Sequence, residues 1–339
     1  MYKSILAKTT TGQELTEQEI AQFIKAIAED KITDSQIAGF QVALLMKGAS
    51  VAEMSAFAKA MQDNCVPIRP QVNEPLMDTC GTGGGLSTFN ISTATALVAA
   101  GAGIPVAKHG SRSISSLSGS ADVLEALGVN INLTAPQVEK LIEDIGIAFL
   151  YAPLFHPVMC RVLPPETELG IKTIFYTTIG PLINPAFATR HLLGVYELAL
   201  LDKVTQSAMA VGYTHAMFVH GMDGLDEISL MGKTRINHLK NGTVTAFEIT
   251  PEEFGMERCS LDRIKTGTPD VNAATITGVF NGTITDERKN AIVLNSAGAL
   301  VVGEKADTFK AGVQLAREII ESGVASKKLR ELQEASHAV

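Results

Sequence analysis

Three amphipathic segments open the chain, each preceded by a hydroxyl residue with Glu or Gln three places on. Thr16 stands before Glu19, Thr33 before Gln36 and Ser50 before Glu53. In this arrangement the side chains satisfy N–H groups that a helix's first turn leaves unpaired. Behind the first lie Ile20, Phe23, Ile24 and Ile27, behind the second Ile37, Phe40 and Leu44, and behind the third Met54, Phe57 and Met61. Spacings of three and four put each set on one helical face, so residues 3 to about 64 are expected to form a small helical bundle. Pro67, Pro70 and Pro75 then mark a linker.

From Leu76 the pattern changes to short apolar runs separated by helical stretches, the order of a sheet with crossover helices. Strands are predicted at Leu76–Cys80, Ile104–Ala107, Ile147–Tyr151, His191–Val195 and Ala216–His220. Helices are predicted at 91–101, at 119–127 with Gly128 as its stop, and at 135–145 with Gly146 as its stop. Val313, Ala316, Ile319 and Ile320 continue a helical face up to Gly323. The fold class is therefore α/β, with a helical cap at the N-terminus.

Composition narrows the function. Of 339 residues, 46% are hydrophobic and 19% charged, which excludes global disorder. Lys and Arg number 28 against 36 Asp and Glu, a net charge of -8, and this argues against a general nucleic-acid binder because phosphate neutralisation by cations supplies most non-specific affinity. No window reaches the roughly 18 uncharged apolar residues of a membrane span. The start, Met1-Tyr2-Lys3-Ser4-Ile5, lacks a signal peptide's apolar core, so a cytoplasmic protein is expected. Cys65, Cys80, Cys160 and Cys259 lie far apart without a C-x-x-C pair and are expected to be free thiols.

Three stretches carry chemistry. The first is Cys80-Gly81-Thr82-Gly83-Gly84-Gly85-Leu86-Ser87-Thr88-Phe89-Asn90-Ile91-Ser92-Thr93. Its glycines after a strand let backbone N–H groups turn toward an anion, and hydroxyl and amide side chains follow where a helix begins. A tight turn with helix caps is the plainer reading of the same residues. Neither the dinucleotide nor the P-loop glycine spacing is present. The second stretch, Lys108 to Asp122, again links a strand to a helix and offers His109 and Ser111 beside the cations Lys108 and Arg112, with Ser116 and Ser120 among its serines. The third, His220 to Glu227, holds Asp223, Asp226 and Glu227. It reads either as an acidic turn or as carboxylates that share Mg²⁺ with substrate phosphates.

The order G-T-G-G…T-F-N-I-S-T, K-H-G-x-R…S-G-S-A-D-x-L-E-A-L-G, G-P-L-x-N-P and D-G-L-D-E-I-S, spread over residues 3 to about 335, resembles the anthranilate phosphoribosyltransferase family. The resemblance implies a helical domain over 1–68, joined by a segment near 165–190, and an α/β domain over 76–339 of the nucleoside phosphorylase and phosphoribosyltransferase kind. It also implies a homodimer through the helical domains. The implied reaction is Mg²⁺-dependent transfer of phosphoribose from phosphoribosyl diphosphate (PRPP) to an amine, anthranilate in tryptophan biosynthesis. Gly81, Gly84, Gly85, Thr88, Asn90, Ser92, Thr93, Lys108, Arg112, Ser116 and Ser120 would contact PRPP. Ser92, Asp226 and Glu227 would hold metal, and His109, Ser111 and Glu166 would face the acceptor. A non-catalytic or nucleic-acid-binding paralogue and a nucleoside phosphorylase are the alternatives.

The chain departs from the family pattern at three places. Its glycine loop is one residue shorter and has no Asp between Gly84 and Gly85, Ser111 stands where the family has Asn, and Glu166 stands where an Arg receives the anthranilate carboxylate. Glu166 is thus expected to disfavour an anionic acceptor unless Lys172 or Arg161 compensates.

Overall fold

A computed structural model describes residues 2–83, 85–113 and 117–339. Four helices open the chain: α1 (Tyr2–Thr10), α2 (Glu17–Ala28), α3 (Asp34–Lys47) and α4 (Val51–Asp63). All three reciprocal caps form, at Thr16, Thr33 and Ser50. The predicted apolar faces are buried, Ile20, Phe23, Ile37, Phe40, Met54 and Phe57 being at most 1% exposed.

The remainder is a seven-stranded sheet in the order β3-β2-β1-β4-β5-β6-β7. Its strands are β1 (Met77–Gly81), β2 (Val106–Gly110), β3 (Ile147–Tyr151), β4 (Arg190–Gly194), β5 (His215–Gly221), β6 (Thr234–Lys240) and β7 (Thr243–Ile249). The first five pair in parallel, and β6 and β7 add an antiparallel hairpin. Between the parallel strands run α5 (Ile91–Gly101), α6 (Ser120–Ala126), α7 (Ala135–Ile145), α8 (Ala152–Phe155) and α9 (Met159–Leu169). The chain winds outward from β1 to β3 and then returns to place β4 on the other side of β1. Reversals of this kind leave a crevice at the carboxyl ends of the strands, where open α/β sheets bind ligands.

One core joins the bundle to the sheet. Ile20, Phe40 and Phe57 belong to the same apolar cluster as Val162 of α9 and as Leu193 and Phe218 of β4 and β5. A ladder of rings crosses it, from Phe23 to Phe40 (4.5 Å between centroids), Phe40 to Phe57 (5.9 Å) and Phe57 to Phe175 (5.3 Å). Phe175 begins a π-helical turn, Phe175–Ile179. With Phe175 locked in the core, its neighbour Tyr176 reaches the crevice. Among the described residues no helix is long and apolar enough to cross a membrane, and all four cysteines are free.

Candidate active site

The crevice holds a cavity of about 840 Å³, bounded by the loops after β1, β2 and β5 and by α8, α9 and the π-helical turn. The glycine loop is built on close backbone approach. Gly81 and Gly194 face each other in register at the ends of β1 and β4, and the Asp226 segment lies on both, so a Cβ at Gly194 would collide with the Asp226 carbonyl and one at Gly81 with its carboxylate. Only glycine permits this layering. Gly83, with φ of +62°, donates its N–H to Asp226 Oδ2 at 2.8 Å. The Asp226 carboxylate is thereby held against the loop at the edge of the cavity.

Asp226 and Glu227 both line the cavity and are half-buried. Desolvation raises the carboxyl of each, and the Asp226 charge raises Glu227 further, while Lys172 and Lys108 pull in the opposite sense. Two adjacent carboxylates that repel each other in a partly dry site, with Ser92 beside them on α5, form an oxygen donor set suited to a hard divalent cation. Asp223, by contrast, closes the turn, accepting from Ser229 Oγ at 2.6 Å and from the Leu225 N–H at 3.3 Å.

Gly81, Gly85, Thr88, Asn90, Ser92, Lys108, His109, Ser111, Arg112 and Ser120 all line the cavity. Gly84 and Ser116 lie outside the described residues. Thr93, expected at the donor site, is not on the cavity wall; it is buried within the first turn of α5, with Oγ1 lacking a partner among the described residues. Of the two cations of the second loop, Lys108 is buried and donates to the Thr79 carbonyl at 2.6 Å. Arg112 is paired with Asp122 (2.9 Å) and Glu125 (2.5 Å) above the Tyr151 ring.

Glu166 is not at the acceptor wall. On α9, Met159, Cys160, Leu163, Pro164, Thr167 and Glu168 reach the cavity. Glu166 is not among them: it is 3% exposed and accepts from Gln41 Nε2 at 3.1 Å, from the Thr173 N–H at 3.3 Å and from Thr173 Oγ1. Burial raises its carboxyl. A motif read along the chain cannot separate adjacent positions that a helix turns about 100° apart, and the buried Gln41 that receives Glu166 lies 125 residues away. Arg161, considered as a compensating cation, is taken up by Asp30, Asp34 and the Ile32 carbonyl. Lys172 sits with Nζ 6.0 Å from the centre of the Tyr176 ring.

Several residues not named as site candidates also shape the site. Asn184, from G-P-L-x-N-P, donates to Asp78 Oδ2 at 2.8 Å and to the Ala107 carbonyl at 2.7 Å. Asp78 in turn receives the Thr79 and His109 N–H groups, which fixes β1 against β2 beneath the loops that follow them. Asn272, from a helix far along the chain, donates to Asn90 Oδ1 at 2.9 Å. His156 packs edge-on against His109 with 4.9 Å between ring centres, and both line the cavity. His109 Nε2 and both ring nitrogens of His156 have no partner among the described residues. Desolvation lowers both imidazoles, His156 to about 4, so both are neutral near pH 7.

Residues 3–65 match the helical bundle domain of the glycosyl transferase family, and residues 73–326 match its a/b domain. The anthranilate phosphoribosyltransferase of Petrotoga mobilis is 45% identical over 335 residues, which cover 98% of this chain and 96% of that one. The chain belongs to the anthranilate phosphoribosyltransferase family. It is a glycosyltransferase. Another relative of the same name, from Acetivibrio thermocellus, is 44% identical over the whole of this chain and 97% of its own.

Solved structures agree. The Thermus thermophilus anthranilate phosphoribosyltransferase superposes with a TM-score of 0.91 at 36% identity, over 98% of this chain and 99% of that one. The Saccharomyces cerevisiae enzyme, in complex with PRPP and Mg, gives 0.91 at 27% identity over 100% and 98%. In complex with 4-fluoroanthranilate it gives 0.89 at 26% identity over 100% and 99%. The helical and α/β parts read from the sequence are thus those of this family.

Proposed function

We propose that the chain transfers phosphoribose from PRPP to an amine acceptor, of which anthranilate is the one that its relatives' names carry. The observation that carries this reading is the pair Asp226 and Glu227 set against the glycine loop in one cavity. A diphosphate needs both a backbone cradle and a hard cation on oxygen ligands. Asp226 and Glu227, with Ser92, would hold Mg²⁺, which when bound neutralises charge on the diphosphate.

The remaining work falls to this chain's own groups. As the bond from C1 to the diphosphate oxygen breaks and the bond from C1 to the amine nitrogen forms, the ribose gains cationic character and the leaving group gains charge. The protein then acts by positioning and by charge stabilisation. The loops after β1 and β2 hold the diphosphate and ribose, with Thr88, Asn90 and Ser120 in reach of phosphate oxygens. No covalent nucleophile is required. The cavity's two thiols suit that, since burial raises both Cys80 and Cys160 and so keeps them protonated.

A homodimer through the bundle is part of the same reading. Val42, Leu45 and Met46 lie on one face of α3, and Met46 is 82% exposed. A second copy of the chain would cover that face, and sedimentation of Met46→Glu as a monomer against a dimeric wild type is the expected outcome.

Calorimetry with PRPP tests the donor reading. Binding should require Mg²⁺, and an amine acceptor should then release diphosphate; PRPP binding that is equal with Mg²⁺ and with a chelator would refute the metal assignment.

A further inference from the structure

The polar end of the cavity, at the glycine loop and the Asp226-Glu227 pair, is braced by a strap from far along the chain. Residues 264–266 run antiparallel to residues 87–89. The Phe89 N–H donates to the Ile264 carbonyl and the Thr266 N–H to the Ser87 carbonyl, each at 3.1 Å, with Thr88 and Lys265 bridged between them. The helix Pro269–Phe280 follows, and near its start stands Asn272, 1% exposed.

Almost no solvent reaches Asn272, so its amide must find partners in the protein. Oδ1 accepts from the Gly267 N–H at 2.8 Å, and Nδ2 donates to Thr266 Oγ1 at 3.2 Å and to Asn90 Oδ1 at 2.9 Å. A backbone N–H can only donate, so the Gly267 contact fixes which way round the Asn272 amide stands. The same holds for Asn90, whose Nδ2 meets the Ser118 carbonyl at 3.2 Å, a group that can only accept. Asn90 Oδ1 also accepts from Ser118 Oγ at 3.1 Å. Three of the four hydrogen-bonding positions of the Asn90 amide are thereby filled, both lone pairs of the oxygen and one N–H. What is left is the second N–H, on a side chain that lines the cavity. Asn90 stands at the N-cap of α5 yet makes no capping bond, so its amide serves this arrangement rather than its own helix.

We propose that Asn272 is a positioning residue for the donor substrate: oriented by the Gly267 N–H, it fixes Asn90 as a hydrogen-bond donor to the cavity, matched to an oxygen of PRPP. The inference rests on the donor reading above. Without Asn272, Asn90 could turn its own oxygen toward the donor, and oxygen set against an anionic oxygen repels.

Asn272→Asp keeps the size of the side chain and an oxygen for Gly267 but takes away the N–H that Asn90 receives. With Mg²⁺ present, its Kd for PRPP by calorimetry should be about tenfold above that of the wild type, a factor worth about 1.4 kcal/mol. In diphosphate release with anthranilate, the KM for PRPP should rise by a similar factor while kcat and the KM for anthranilate change little, since the contact serves binding. Asn90→Ala should itself weaken PRPP binding, and adding Asn272→Asp to it should weaken binding no further, because the effect passes through Asn90. Asn272→Ser removes the same donor without adding charge and gives the same comparison where the charged variant does not fold. Equal PRPP affinity in the wild type and the Asn272 variants, or losses that simply add in the Asn90→Ala background, overturn the proposal. A wild type that does not bind PRPP at all removes the donor reading with it, whereas binding by the wild type with unchanged binding by the variants removes the positioning role alone.

Discussion

The two ends of the cavity are built by different means. At the polar end, backbone and side chain are interlocked: Gly83 N–H on Asp226, the Asp226 segment stacked on Gly81 and Gly194, Asn184 and Asp78 bracing β1 and β2, and Asn272 holding Asn90. At the α8–α9 wall, by contrast, the helix shows its apolar face to the cavity, and two imidazoles stand with ring nitrogens unpartnered among the described residues. The first end can tolerate few substitutions because each group positions another. At the second, side chains project singly from a helix, so the identity of one residue can change what the wall accepts without disturbing the frame.

The sharpest break of that contrast is Glu166→Arg. If Glu166 belonged to the wall, the change would add a useful cation; as the structure has it, a guanidinium would be buried against Gln41 and Thr173 in place of a hydrogen-bonded carboxyl. Denaturant unfolding should show a loss of about 3–5 kcal/mol, the usual size for an uncompensated buried charge, with no gain in anthranilate turnover. Improved anthranilate kcat/KM in a stable protein would reinstate Glu166 at the acceptor.

Next in size is the Asp226→Ala/Glu227→Ala double variant. It should lose Mg²⁺-dependent PRPP affinity by about 100-fold or more, roughly 2.7 kcal/mol, as read by calorimetry. Because burial raises both carboxyls and the Asp226 charge raises Glu227 further, removing them relieves a cost that offsets the lost Gly83–Asp226 hydrogen bond, and the melting temperature of the ligand-free protein should change little. A large drop would mean that they serve the fold rather than a metal.

The smallest effect concerns pH. Unfolded histidine takes up a proton near pH 6.5, whereas buried His156 and His191 resist protonation until about 4. Their contribution to stability is therefore present above pH 6.5 and lost as pH falls to about 4. Glu166, Asp226 and Glu227 act in the opposite sense, since their raised carboxyls favour the folded state at low pH. His156→Asn should leave Tm near pH 7.5 little changed and reduce its fall toward pH 4.5; an unaltered slope would show that the imidazole is hydrated.

Much of the frame was legible in the chain. Hydroxyl caps and three-four spacing located α2, α3 and α4 because both signals are local: the atoms that bond lie within one turn. The five parallel strands stand out as short apolar runs because they are buried on both faces. The hairpin of β6 and β7 does not, although Asn241-Gly242, both with positive φ, is a strong two-residue turn signal. Polar alternation along β6 and the exposed β7 hide these strands from a search for apolar runs.

By itself, then, the sequence determined the family, the order of α2 to α4 and of the five parallel strands, and the loops that meet at the polar end of the cavity, since each of those rests on contiguous residues. Only the tertiary structure decided which face of α9 meets the cavity, where Glu166 goes, that Arg112 is already paired, and that His156 joins His109. Those outcomes depend on the angle at which one helix settles on another and on partners more than a hundred residues distant, such as Gln41 for Glu166 and Asn272 for Asn90. Packing sets that angle, and a shift of one position along a helix turns a side chain from the cavity to the core.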